Sequence, residues 1–267
     1  MNIITLGPME LGIASLLIIG LALASLLQQL GLEKRLLIAA VRTVIQLTLI
    51  GLVLKALFAT VHLGWISMVA FIMLGIAGRE VMARQERRFS GVWGFGIGTA
   101  SMFLSSFIIT LLALNIIISP TPWYTPQYAI PILGMMLGNT MNSISLGLDR
   151  LTHEAWREKE TIEARLLMGH SWQQAILPFR KEALRTSMIP TINSMAAAGL
   201  VSLPGMMTGQ ILAGNPPDTA VKYQILIMFM ITAGAGFGSI LAVWLGAKRL
   251  FDDRHRLRLD RLHPPAK

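Results

Sequence analysis

The sequence contains no cysteine, so disulfide bonds and thiolate metal sites are excluded. It also contains few charged residues: Asp, Glu, Lys and Arg make up 14% of its 267 residues, whereas hydrophobic residues make up 54%. An average soluble domain carries about 25% charged residues. The composition therefore indicates a protein whose main solvent is lipid.

Charge is entirely absent between residues 90 and 148, a stretch interrupted only by a polar segment with three prolines at 119–127. So long a run is typical of two membrane-spanning helices joined by a short loop. The sequence also has no Lys or Arg before Lys34. The apolar run 11–32 therefore lacks the basic region of a cleaved signal peptide, and we expect it to remain as the first span.

Seven apolar runs are about 20 residues long, the length that a helix needs to cross a bilayer. They lie at residues 11–30, 36–58, 63–81, 92–119, 128–148, 183–203 and 223–247. We therefore predict an all-α polytopic integral membrane protein with about seven transmembrane helices, built as a single transmembrane domain over residues 1–267. The second and sixth runs are the least regular, because one contains Arg42 and Lys55 and the other contains Pro190.

Basic residues lie on alternate linkers of this arrangement. Of the 23 Lys and Arg residues, all except Lys55 and Lys222 fall on one side. The positive-inside rule makes that side the cytoplasm, which places the N-terminus outside and the C-terminus in the cytoplasm, with a basic cytoplasmic tail at 248–267. The net charge of +9 then faces anionic lipid headgroups. We expect the lipid bilayer, and no nucleic acid, as the partner of this surface.

The sizeable polar stretch inside the chain, residues 149–185, falls on the cytoplasmic side. Its apolar residues recur at helical spacing, which predicts that the fifth span continues out of the bilayer as an amphipathic helix and stops at Gly169. Ser171 and Gln174 then fit a capping box, which predicts a second short helix that ends before Pro178. Such a helix, turn and helix form a compact knob suited to docking on a second protein.

Parts of this knob resemble the EAA loop of the permeases of ABC transporters, in which Glu-Ala is followed six positions later by Gly and then by Leu-Pro. The Leu-Pro pair lies about four residues earlier here than in the usual importer pattern. The candidate residues for coupling with an ATPase are those of the resemblance and Trp172 between them, namely Glu163, Ala164, Gly169, Trp172, Leu177 and Pro178.

Nearly the whole chain is similar to the FetB family of permeases, which are implicated in iron export with a separate ATPase, FetA. The segments that carry the resemblance are GREVMARQERR (78–88), ILGMMLGNTMNSISLGLDRL (132–151), EARLLMGHSWQQAILPFRKEALRTSMIPT (163–191) and SLPGMMTGQILAGNPPDTAVKYQI (202–225). The resemblance implies a multi-pass permease of the bacterial inner (plasma) membrane. It also implies export of iron or a related metal, and a permease homodimer joined to two FetA-like ATPase subunits.

The chain has no Gly-x-x-x-x-Gly-Lys-Ser/Thr phosphate loop. Glycines 94, 96 and 98 lie in an apolar helix and are expected to form a packing surface. We therefore expect no enzyme activity and no bound cofactor in this chain. ATP and Mg would be held by the partner subunit, and only the assembled complex would be an ATP-driven translocase.

Polar side chains within the predicted spans are expensive in lipid and tend to face a bundle interior or a water-filled path. The alternative is that they bond neighbouring helices. Likewise, Pro204 and Gly205 predict either a broken or re-entrant segment or a kink that only aids packing. The candidate residues for a translocation path are Arg42, Gln46, Asn139, Asn142, Ser143, Asn193, Ser194, Met195, Met206 and Gln210.

The sequence does not define a set of metal ligands. Methionine thioethers bind soft ions such as Cu(I), but 16 methionines in an apolar chain also serve ordinary packing. The five histidines all lie outside the predicted centre of the membrane. If iron is the cargo, weak polar contacts or a chelated form are expected.

Three alternatives remain open at this point. One is an ABC permease for another cargo, such as a nucleotide sugar, because plant relatives of the family are linked to aluminium tolerance and to proposed nucleotide-sugar transport. Another is a secondary transporter driven by an ion gradient without an ATPase. The third is an intramembrane enzyme or receptor, although the sequence offers no catalytic constellation for it.

Overall fold

The computed structural model describes residues 7–59 and 61–263, and within these ranges the chain is helical and contains no strand beyond isolated bridges. The all-α prediction is therefore confirmed. The helices are α1 (Pro8–Leu27), α2 (Glu33–Ala59), α3 (Leu63–Ala83), α4 (Val92–Ile117), α5 (Pro126–Arg157), α6 (Lys159–Leu167), α7 (Trp172–Ala197), α8 (Gly205–Leu212) and α9 (Pro217–Arg249). The last four positions of the predicted tail, 264–267, lie outside the described residues.

The chain divides into two compact units. The first unit contains α1, α2 and Leu212–Gly214, and the second contains the other described helices. Within the first unit, the buried Ser25 side chain ties the two helices together: its hydroxyl lies 3.2 Å from Glu33 Oε2 and accepts a hydrogen bond from the Leu32 N–H. The outer surfaces of α1 and α2 are apolar and exposed, as expected of helices that face lipid.

The second unit is built around α5, which packs against α9, α7 and α3. Glycines on α9 allow a close approach to α5: a Cβ at Gly238 would lie 2.7 Å from Thr140 Cγ2, and one at Gly234 would contact the Met136 methyl group even more closely. Small residues at helix interfaces are the usual means of tight packing in membranes. Ile144 and Leu148 of α5 are consequently buried in the centre of the unit.

Five of the described helices are long and apolar enough to cross a membrane: α1, α2, α3, α4 and α9. The fifth and sixth predicted spans correspond to parts of α5 and α7, which do not belong to this group because they carry more polar residues. The chain is thus a multi-pass protein by length and composition. The count of seven spans stays a prediction, as do the sides on which the termini lie.

Two boundary predictions are wrong. The fifth predicted span does not continue to Gly169 as one helix, because α5 ends at Arg157 and α6 begins at Lys159 after a turn at Glu158.

The helix that begins after Ser171 does not end before Pro178, because α7 continues through Pro178 and Pro190 to Ala197. Proline removes one backbone hydrogen bond from a helix and its ring crowds the preceding turn, but a long helix packed against its neighbours can tolerate both effects. Helix α7 packs against α5 and α9, and it continues through both prolines.

Candidate functional site

The turn between α6 and α7 has the geometry that the sequence predicted. Gly169 has φ +89°, a left-handed conformation that only glycine adopts readily, and it lies just after the end of α6. The Ser171 hydroxyl accepts a hydrogen bond from the Gln174 N–H, while Gln174 Oε1 accepts one from the Ser171 N–H at 2.9 Å. These caps fix the direction in which α7 leaves the turn.

We call residues 159–178 the knob. Its inner side is anchored in the core, since Ile162, Ala175 and Ile176 are fully buried. Its tip is apolar and open, because Leu167 is 89% exposed and Met168 is 69% exposed. A rigid base beneath an exposed apolar tip is typical of a docking surface for a partner protein.

The predicted coupling residues are gathered on this knob. Five of them are exposed, and Trp172 is half-buried. Glu163 and Gly169 line the same groove, and the proposed role of the six residues in coupling stays a prediction. The exposed residues are Glu163, Ala164, Gly169, Leu177 and Pro178.

Beyond α9 the chain folds back as a segment that we call the strap, residues 250–263. Asp252 closes its first turn: its carboxylate accepts hydrogen bonds from the backbone N–H groups of Arg254 at 3.0 Å and Arg256 at 2.9 Å, and from Arg256 Nε at 2.8 Å. The backbone hydrogen bond from Arg256, followed by the bond from its side chain, lowers the pKa of Asp252 to about 2 against the opposing effect of burial. The strap is a folded structure and not a solvated tail over these residues.

The strap contacts the knob. The N–H of Trp172, the first residue of α7, donates to His255 Nδ1 at 3.3 Å, and the rings of Trp172 and Phe251 lie 5.7 Å apart between centroids. A groove of about 800 Å³ separates the two segments. Its lining residues are Glu163, Leu166, Leu167, Gly169, His170, Ser171, Arg254, His255, Arg256 and Leu257.

The other end of the strap is bound to the loop between α3 and α4. The Ser90 N–H donates to the Arg261 carbonyl oxygen at 2.8 Å, and the His263 N–H donates to the Arg88 carbonyl oxygen at 2.9 Å. Leu262 is buried beside Phe89. The strap therefore links the α3–α4 loop to the knob.

The α3–α4 loop also contacts α5. The Glu86 N–H donates to Asp149 Oδ1 at 2.7 Å, and the Arg87 guanidinium lies 4.1 Å from the centre of the Trp156 ring. Arg84 donates to Asn142 Oδ1. Asn142, a candidate path residue, is thus in contact with a basic residue from the loop.

Two of the candidate path residues bond neighbouring helices, as the packing alternative proposed. The Ser143 hydroxyl on α5 lies 3.4 Å from the Thr191 hydroxyl on α7, and the Thr232 hydroxyl on α9 lies 2.7 Å from Met195 Sδ. Asn139 donates to the carbonyl oxygen of Met135 on its own helix at 2.8 Å. The Ser143–Thr191 contact ties α5 to α7, and the Thr232–Met195 contact ties α9 to α7.

The remaining candidates are more accessible. Asn193 and Ser194 are exposed near the end of α7, and Met206 and Gln210 are half-buried on the short helix α8. The chain is broken on both sides of α8, which agrees with the predicted interruption at Pro204 and Gly205.

Arg42 and Gln46 lie in the first unit, one turn apart on the same face of α2.

No group of three or more His, Cys, Asp or Glu side chains within residues 7–59 and 61–263 is arranged to hold a metal ion.

The strap was not predicted from the sequence. The signal that was available is the recurrence of apolar residues among the arginines of the tail, namely Phe251, Leu257, Leu259 and Leu262. In a solvated tail such residues would face water, and here they pack against the core or lie buried in it.

Comparison with known proteins gives one family and several full-length relatives. The model of UPF0014, described as an uncharacterised protein family, matches residues 8–251. A UPF0014 membrane protein of Synechocystis is 39% identical over 245 residues, which cover 90% of this chain and 92% of that protein. The probable iron export permease protein FetB of Escherichia coli is 34% identical over 261 residues, or 95% of each chain. The protein ALUMINUM SENSITIVE 3 of Arabidopsis thaliana is 32% identical over 92% of this chain and 88% of its own. No solved structure matches.

Proposed function

Because this chain belongs to the UPF0014 family of membrane proteins, we propose that it is the permease subunit of an ABC transporter. In this proposal it exports iron or a related metal from the cytoplasm with ATP that a separate FetA-like subunit hydrolyses. The similarity to the probable iron export permease of Escherichia coli supports the permease role and the cargo. The knob supports the need for a partner.

One observation carries the proposal. Helix α7 is continuous from its cap at Ser171 to Ala197, so it joins the knob directly to Thr191, which touches Ser143 on α5. A force applied to the knob would therefore move the middle of the bundle as one rigid element. An ATPase that closes on the knob would use this helix to change the path between α5 and α7.

The proposed topology has seven spans, with the N-terminus outside and the C-terminus in the cytoplasm of a bacterial inner membrane. Helices α5 and α7 are the two spans of lower hydropathy. Helix α5 can cross because much of its polar surface is turned toward α4 and α7 and not toward lipid, as Thr140, Ser143 and Ser145 are all buried. The knob, the strap and the α3–α4 loop then lie together on the cytoplasmic side.

The proposed assembly contains two permease chains and two ATPase subunits. Asn139 and Asn142 lie on an exposed face of α5 at a depth where lipid would solvate them poorly. A second copy of the chain across this face would cover them or enclose a water-filled path. This supports a homodimer in which the cargo passes between the two copies.

The test is reconstitution of the chain in liposomes with and without the candidate ATPase. We expect the ATPase to co-purify in a one-to-one ratio and iron to cross the bilayer only after ATP is added. Iron flux without the ATPase, driven by an ion gradient, would contradict the proposal. ATP-dependent flux of a nucleotide sugar with no flux of iron would retain the coupling mechanism and refute the cargo.

A further inference from the structure

A cavity of about 530 Å³ lies between the C-terminal end of α7, the turn that follows it, α8 and the first half of α9. Three methionines line it, Met195, Met207 and Met228, together with Gln224 and a majority of apolar residues. No charged side chain is among its lining residues. The cavity is thus neutral, and its side-chain donor atoms toward a ligand are thioether sulfurs and one amide group.

Gln224 provides the observation that points to a ligand. Its side chain is part of the lining and is only 8% exposed, and its Oε1 is buried without a hydrogen-bond partner among the described residues. A buried acceptor without a partner is unfavourable, because it has lost its bond to water and gained none in return. A ligand that offers a hydrogen-bond donor or a positive charge would remove this cost once the amide of Gln224 turns its Oε1 toward the cavity.

The surroundings favour a positive charge. Thioether sulfur is a soft electron-pair donor that prefers ions such as Cu(I) and Ag(I). The C-terminal end of α7 also contributes backbone carbonyl groups with partial negative charge, because Met195 lies in its last turn and Ala198 is its C-cap. Hard divalent ions prefer carboxylates and water, and no carboxylate lines this cavity.

The side chain of Met195 is held in place without a ligand. The Thr232 hydroxyl lies 2.7 Å from Met195 Sδ and 2.8 Å from the Met228 carbonyl oxygen, one turn before it on α9. This contact holds the end of α7 against α9. The thioether of Met195 is therefore placed before any ligand arrives, which lowers the entropic cost of binding.

We propose that this cavity binds a soft monovalent cation of the Cu(I) and Ag(I) class, with the thioethers of Met195, Met207 and Met228 and Gln224 Oε1 as its donors. The site goes beyond the proposed function, because it requires neither an ATPase nor transport. The proposed cation site can therefore exist even if the assembled complex does not export iron. Export of iron by the complex likewise does not require this site.

The experiment titrates Ag(I), which resists the redox reactions of copper, into the purified full-length chain in detergent and measures bound silver by equilibrium dialysis. We expect the titration to show one tight silver site per chain and several weaker silver sites. The triple variant M195L/M207L/M228L keeps side-chain volume nearly constant, and we expect it to weaken the tight site at least tenfold. Q224L is expected to weaken it by a smaller factor.

Met230 provides a matched control, since it is buried on α9 near Met228 but does not line the cavity. M230L should leave the tight site unchanged. Thermal unfolding without silver shows whether each variant is folded. Tight binding that persists in the folded triple variant, or that M230L weakens to the same extent, would overturn the proposal. So would binding of an apolar compound in the cavity with no tight silver site.

Discussion

Gly169 is the residue on which the shape of the knob depends most directly. A Cβ at this position would meet no atom within 4 Å, so a larger residue would have enough space. Glycine is favoured here because φ is +89°. Replacing it with alanine forces a side chain into the left-handed region at a cost of about 1–2 kcal/mol. The chain can escape this strain by re-forming the turn, which would move the exposed tip.

We therefore expect G169A to insert and fold normally but to lose most ATP-dependent transport, while the ATPase continues to hydrolyse ATP. The measurement is the ratio of cargo moved to ATP hydrolysed in liposomes. The matched control is G75A in α3, where an added Cβ also has open space and the backbone is helical. A G169A chain that transports like the parent protein would remove the turn from the coupling mechanism.

Asp252 makes the strap sensitive to acid. Its pKa is lowered to about 2 in the folded strap from an ordinary value of 3.8. A carboxylate with a lowered pKa stabilises the fold above its unfolded pKa, and this stabilisation is lost as the pH falls toward the folded pKa. The strap should therefore loosen between about pH 4 and pH 2.

Hydrogen exchange at the amides of Arg254 and Arg256, which donate to Asp252, measures this loosening. We expect the parent chain to be better protected than D252N above about pH 4, and the difference to vanish near pH 2. D253N removes the same charge from the adjacent strap residue, whose side chain makes no hydrogen bond or ion pair among the described residues, and it should behave like the parent chain. Equal exchange in D252N and the parent chain at neutral pH would refute the role of Asp252.

At the scale of the helices, the sequence predicted local structure well and tertiary structure poorly. The cap at Ser171 and the stop at Gly169 depend on a few neighbouring residues, so their signals are local and both predictions are confirmed. The short helix after Ser171 and the sixth predicted span form one helix, α7, which packs against α5 and α9, and Pro178 gives no means to anticipate that packing. For the same reason the helix was predicted to end too early.

Predictions for the candidate site also succeeded where the signal is local in sequence and failed where it is not. The knob was predicted because its caps and apolar spacing lie within one stretch of sequence. The strap was not, because the residues that hold it, such as Ser90 and Trp172, are far from it in sequence. Its high content of arginine also resembled a solvated tail, although Asp252 and Asp260 pair with several of these side chains.

The continuity of α7 can be tested at Lys181, an exposed residue between the knob and Thr191. Glycine in the interior of a helix costs about 1 kcal/mol relative to alanine and makes the helix easier to bend. We expect K181G to lower the amount of cargo moved per ATP hydrolysed, and K181A, which removes the same charge, to leave it unchanged. Identical ratios for the two variants would show that α7 does not act as a rigid lever.

At the scale of the whole molecule, the lack of cysteine makes the topology easy to test. Single cysteines introduced as M168C at the knob and L200C after α7 are both at highly exposed positions. We expect a membrane-impermeant maleimide added to intact cells to label L200C alone. Both should react once the membrane is opened.

This labelling pattern follows from an odd number of spans between the two termini and from α7 crossing the bilayer. Labelling of M168C in intact cells would place the knob outside and would end the proposed coupling to a cytoplasmic ATPase. Protection of both positions in intact cells would instead mean that α7 does not cross. Either result can be read without knowing the cargo.

The strap follows α9 in the sequence, so the ribosome makes it after helices α1 to α9. The knob and the α3–α4 loop therefore emerge from the ribosome before the residues that join them. The groove lacks its second wall until the strap has been made, and a chain terminated after α9 would lack that wall permanently. The order of translation thus delays completion of the proposed docking groove until the helices beneath it have been made.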